Sequence, residues 1–95
     1  MRPKLTPEAI QTALAVIPHW RLEDGQLTRT ITFTAFPQAI DFVTQIAALA
    51  EAANHHPDID IRYNKLHLAL VTHDSGGITQ NDLDLATSIE TALPK

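Results

Sequence analysis

The stretch Asn54-His55-His56-Pro57-Asp58-Ile59-Asp60-Ile61-Arg62-Tyr63-Asn64-Lys65-Leu66-His67-Leu68-Ala69-Leu70-Val71-Thr72-His73-Asp74 decides how the chain is read. Pro57 pushes His56 toward extended geometry. Ile59, Ile61 and Tyr63 then alternate with Asp58, Asp60 and Arg62, the pattern of a half-buried strand. Asn64-Lys65 suits a tight two-residue turn. The return run places Leu66, Leu68 and Leu70 on one face and His67, Ala69, Val71 and His73 on the other. A hairpin brings the start of its first strand to the end of its second, so His55 and His73 are predicted to be neighbours. The leucines should face helices, which puts the histidine cleft at the strand end or on the helix-free face.

Working outward, Thr34 to Ala52 has the spacing of a long helix, with Pro37 tolerable in its first turn. Phe36, Ile40, Val43, Ala47 and Ala50 form its apolar stripe, and Phe42, Ile46 and Leu49 widen it to most of the circumference. A stripe that wide fits a helix that also meets a partner subunit, or one buried deeply in its own domain. Asn54 reads as the helix end. Upstream, Glu23-Asp24-Gly25 marks a turn between Trp20–Leu22 and the alternating run Leu27–Phe33, a first hairpin. Before it, Thr6-Pro7-Glu8 opens a helix carrying Ile10, Ala13, Leu14 and Ile17, and Pro18 stops it. Downstream of Ser75-Gly76-Gly77, Thr79-Gln80-Asn81-Asp82 caps a last helix whose Leu83, Ala86, Ile89 and Leu93 face inward. The predicted fold is α+β, in the order α-β-β-α-β-β-α. Its four-stranded antiparallel sheet carries three helices on one face.

The 95 residues, 44% of them hydrophobic, predict a single domain over 1–95 with a packed core. The absence of cysteine removes disulfide scaffolds, thiolate metal sites and cysteine nucleophiles. A net charge of -4 with scattered Lys and Arg speaks against nucleic-acid binding, which needs a basic face. Met1 to Pro7 carries no apolar run of leader or membrane-span length, so a cytoplasmic protein without membrane attachment is expected.

The chemistry concentrates in the histidines. Imidazole is the side chain that ordinarily exchanges a proton near neutral pH. Adjacent histidines on extended backbone point to opposite sides, so His55 and His56 would not readily share a metal ion, and no His-Glu-x-x-His helix is present. Ser75 lies beside His73-Asp74, but a serine before two glycines reads as a turn residue rather than a nucleophile. General acid–base work at His55 and His73 is the reading that remains. Glu51, Asp82, Tyr63 and Trp20 each have two readings, as supports of that site or as helix-end, capping and core residues; His19 and His67 are read as structural.

The residues Glu51, His55-His56-Pro57, Tyr63-Asn64-Lys65, His67, Thr72-His73-Asp74, Gly77, Thr79, Asp82 and Leu85-Ala86 resemble the pterin-4a-carbinolamine dehydratase family. Trp20, Phe33, Phe36, Ala39 and Phe42 extend the likeness over nearly the whole chain. The resemblance implies dehydration of 4a-hydroxytetrahydropterin to quinonoid dihydropterin, the recycling step after aromatic amino-acid hydroxylation. It implies His55, His56 and His73 as the catalytic set. Pro57, Thr72, Asp74 and Ser75 would line the pterin site with those histidines, and Glu51, Tyr63, Asp82 and Trp20 would be candidate supports. It also implies a homodimer or homotetramer, and no metal or organic cofactor, the pterin being the substrate. Relatives that serve as coactivators or assembly factors make a non-catalytic binding module, with a protein partner, the alternative.

Overall fold

Period-two alternation in the second hairpin builds the sheet as read. In the computed structural model, which describes residues 3–94, β3 (Asp58–Arg62) pairs antiparallel with β4 (Lys65–Leu70). Met1 and Arg2, at the head of the segment read as lacking an apolar run, and Lys95 lie outside the described residues. Leu66, Leu68 and Leu70 are wholly buried, while Lys65 and His67 are exposed on the other face. The first hairpin joins β1 (Arg21–Glu23) to β2 (Gln26–Thr32). Its Asp24-Gly25 loop has φ of 50° and 77°, the left-handed pair that matches hairpin twist. β2 pairs with β4, giving a four-stranded antiparallel sheet of order β1-β2-β4-β3.

The helices are α1 (Pro7–Leu14), α2 (Phe36–Ala53) and α3 (Gln80–Ala92). Ile10 of α1, Phe42 and Ile46 of α2, and Leu85 and Ile89 of α3 share one core with Leu27, Ile31 and the β4 leucines. The helices therefore cover one face of the sheet, and Thr30 and His67 mark the other. No helix among the described residues is long and apolar enough to cross a membrane.

Three local readings are corrected. The hairpin loop is Tyr63-Asn64 rather than Asn64-Lys65, because Arg62 pairs with Lys65. Tyr63 takes the left-handed conformation (φ 55°), and Asn64 is held by Phe33. Its Nδ2 donates to the Phe33 carbonyl and its carbonyl accepts from the Phe33 N–H, both at 2.8 Å. α1 ends at Leu14, earlier than Pro18, and Ile17 is buried from the turn that follows. In α2 the buried stripe is Ala39, Phe42, Ile46 and Ala50, whereas Phe36 and Ile40 are exposed. Two apolar stripes run along this helix, and the sheet takes the one that carries Phe42, whose ring packs against Phe33.

Candidate active site

α2 delivers the first two histidines. Asn54 ends the helix in the left-handed conformation, and the His55 N–H still donates to the Ala50 carbonyl. Pro57 follows, and β3 begins at Asp58. The third histidine comes from the other end of the hairpin, where Thr72 leaves β4 and a short 3₁₀ turn, His73–Ser75, follows. This loop is tied shut by hydrogen bonds between the Thr72 N–H and the Gly77 carbonyl and between the Ser75 N–H and the Thr72 carbonyl, both at 3.0 Å. The amino-terminal segment clamps it from outside, with the Leu5 N–H donating to Ile78 and the Lys4 stem lying across Gly77. A Cβ at position 77 would sit 2.5 Å from Lys4 Cδ, so a larger residue there would push the lysine stem aside.

The two loops enclose a cleft of about 270 Å³ lined by Asn54, His55, His56, Val71, Thr72, His73 and Asp74. A hollow of about 490 Å³ beside Phe33 and Phe42 is larger but holds no histidine, so chemistry rather than size selects the candidate site. The cleft lies at the strand end. His55 turns inward, its side chain 13% exposed, and its Nε2 lies 2.5 Å from Oδ1 of the fully buried Asp82. His56 turns outward, and its Nε2 meets Glu51 Oε2 at 2.5 Å with both side chains largely exposed. The imidazole of His73 has no hydrogen-bond partner among the described residues. No group of three or more His, Asp or Glu among them is arranged to hold a metal ion.

Asp82 serves two structures at once. Its Oδ2 accepts from the Thr79 backbone N–H at 2.8 Å, closing the capping box of α3, and from Thr72 Oγ1 at 2.8 Å. Its other oxygen holds His55. Asp82 thus caps α3 and holds His55 at once, and only the docking of α3 against the end of α2 brings the two together.

The remaining candidates divide. Pro57 and Ser75 are half-buried beside the cleft without lining it. Tyr63 is at the hairpin tip, 70% exposed and roughly 15 Å of strand away from His55. Trp20 is in the core, where its Nε1 donates to Glu90 Oε1 at 2.8 Å. Arg29 Nε reaches the same oxygen at 2.7 Å, so Trp20 belongs to a structural cluster on the helix side of the sheet. Glu90, which joins Trp20 to Arg29, is a contribution that periodicity could not single out, whereas the sequence marks Thr79 as a helix cap without showing its bond to Thr72.

The sequence profile of the family described as pterin 4 alpha carbinolamine dehydratase matches residues 3–92. A provisionally named pterin-4-alpha-carbinolamine dehydratase of Acidobacterium capsulatum is 52% identical over 90 residues, covering 95% of this chain and 98% of that one. One of the same name from Chloroflexus aurantiacus is 53% identical over 88 residues, covering 93% and 95%. Among solved structures, a transcriptional coactivator/pterin dehydratase from Brucella melitensis superposes with a TM-score of 0.89 at 31% identity, covering 93% of this chain and 96% of its own. A pterin dehydratase-like protein described as a RuBisCO assembly factor shares the fold at 21% identity, with a TM-score of 0.65 over 76% of this chain and 86% of its own. The chain belongs to the pterin-4a-carbinolamine dehydratase family.

Proposed function

We propose that the protein dehydrates a 4a-hydroxytetrahydropterin to quinonoid dihydropterin and water by histidine acid–base catalysis, recycling tetrahydrobiopterin in the cytoplasm. The observation that carries the reading is the cleft itself. Three imidazoles border it, two held by carboxylates and one, His73, with no hydrogen-bond partner among the described residues.

In the reaction the C4a–O bond breaks, the hydroxyl leaves as water after taking a proton, and a ring N–H gives up a proton as its electrons form the new C=N bond. His73 is assigned as the acid at the leaving hydroxyl. His55 is assigned as the base at the ring N–H, because a carboxylate on one imidazole nitrogen orients the ring for proton transfer at the other. His56, on its exposed tether to Glu51, orients the substrate. Each proton transfer is worth about 10²–10⁴-fold in rate. The pterin is the substrate, and the scheme requires no metal or organic cofactor.

The direct test is to add purified protein, without metal, to synthetic 4a-hydroxytetrahydropterin and follow quinonoid product by ultraviolet absorbance. Acceleration over the spontaneous rate, insensitive to a chelator, is expected. Folded protein with no acceleration would sink the dehydratase reading and leave a binding, coactivator or assembly module in its place; activity abolished by chelation would point to a metal.

We further propose a homo-oligomer, a dimer or tetramer, built on the second stripe of α2. Phe36 (45% exposed) and Ile40 (38%) stand on it, with Val43 at its inner edge. Light scattering should give a mass above the 10.5 kDa of one chain, and Ile40→Asp should lower it. A monomer at high micromolar concentration would refute the assembly.

A further inference from the structure

Hydrogen-bond direction around Asp82 can be followed hydrogen by hydrogen. As a carboxylate, Asp82 only accepts, whereas each threonine hydroxyl has one hydrogen to donate and two lone pairs. Thr72 Oγ1 lies 2.8 Å from Asp82 Oδ2 and gives its hydrogen there. The 2.9 Å contact between Thr72 Oγ1 and Thr79 Oγ1 must then run the other way, with Thr79 donating. Thr79, wholly buried, at the same time accepts from the Asn81 N–H at 3.2 Å. Donation therefore runs in one direction, from the first turn of α3 through Thr79 and Thr72 into Asp82.

We propose that Thr79 and Thr72 are positioning residues. By anchoring Asp82 Oδ2, the Thr79 N–H and the Thr72 hydroxyl fix the carboxylate with Oδ1 against His55, which puts the ring hydrogen on Nε2 and leaves Nδ1 as the atom that exchanges a proton with substrate. Thr72, which family resemblance assigns to the pterin site, thus works chiefly through its inward hydroxyl. The catalytic meaning rests on the dehydratase reading; the tautomer is a property of the resting protein and stands apart from it.

The experiment is a long-range ¹H–¹⁵N correlation of the His55 ring in ¹⁵N-labelled protein, at a pH where the ring is neutral. The wild type should show a protonated Nε2 and a bare Nδ1. Thr72→Ser and Thr79→Ser keep the hydroxyls and should leave that signature unchanged. Thr72→Val leaves the α3 cap intact but removes one anchor of the carboxylate, so Oδ1 is held less firmly against His55 and a share of the Nδ1-protonated tautomer should appear. Its kcat should fall about tenfold with little change in KM, the effect of losing one hydrogen bond to a charged group. Circular dichroism checks the fold, and Thr72→Ala reports the same loss if valine disturbs packing. A bare Nε2 in the wild type, or a signature that Thr72→Val and Thr72→Ala leave untouched, would overturn the relay. A wild type that shows the expected signature but no dehydration would instead fail the dehydratase reading alone.

Discussion

His73→Ala should slow pterin dehydration by about 10²–10⁴-fold while leaving the melting temperature close to that of the wild type. The imidazole sits on an exposed 3₁₀ turn without a hydrogen-bond partner among the described residues, so its removal strips no buried group of a contact. His55→Ala should lose rate to a similar degree and lose stability as well, because it leaves Asp82 Oδ1 facing an empty space in the interior. Steady-state kinetics beside thermal melts separates the two. A His73→Ala enzyme of wild-type rate would remove His73 from the acid's role, and equal melting losses would show that its ring also braces the fold. His56→Ala should raise KM more than it lowers kcat, since its tether among the described residues is an exposed carboxylate.

Asp82→Asn and Asp82→Ala should part company just as clearly. Alanine leaves the Thr79 N–H, the Thr72 hydroxyl and the His55 ring without an acceptor, and also removes a helix cap. A loss of about 3 kcal/mol or more is expected, read as a fall of more than about 10 °C in Tm. Asparagine can still accept the two donors at Oδ2 through its carbonyl, so most of the cap survives at a cost of about 1 kcal/mol. Its NH₂ group, however, then faces His55 Nε2 and demands a lone pair there, which moves the ring hydrogen to Nδ1. The variant should therefore be folded and slow by about 10²–10⁴-fold, as when a carboxylate that sets a histidine tautomer is replaced by its amide. An Asp82→Asn enzyme with wild-type turnover would show that the tautomer does not matter to the reaction.

The legibility of the fold followed the strength of each local pattern. Strict alternation in Leu66–Leu70 left one choice of face, and a one-residue error in the turn did not disturb it, because the face belongs to the strand and not to the loop. Asn64 drew the turn to itself because asparagine favours loops, yet the backbone gave the left-handed conformation to Tyr63. In α2 the apolar residues fill two adjacent stripes, and periodicity alone cannot say which one meets the sheet. The approach of His55 to His73 was readable because hairpin geometry joins strand ends. The His55–Asp82 pair was not readable from pattern, since it spans 27 positions and depends on how α3 docks. Trp20 likewise finds its partner 70 positions away in Glu90.

The double duty of Asp82 changes what its presence can tell. A protein of this architecture that had abandoned chemistry would still need an acceptor to start its third helix, so an aspartate at position 82 is no badge of an enzyme. The His73 imidazole, in contrast, makes no hydrogen bond among the described residues, and only its backbone carbonyl, which accepts from Gly76, belongs to the turn. Under the proposed mechanism, the exposed imidazoles of His73 and His56, rather than Asp82, are the groups whose retention would speak for turnover.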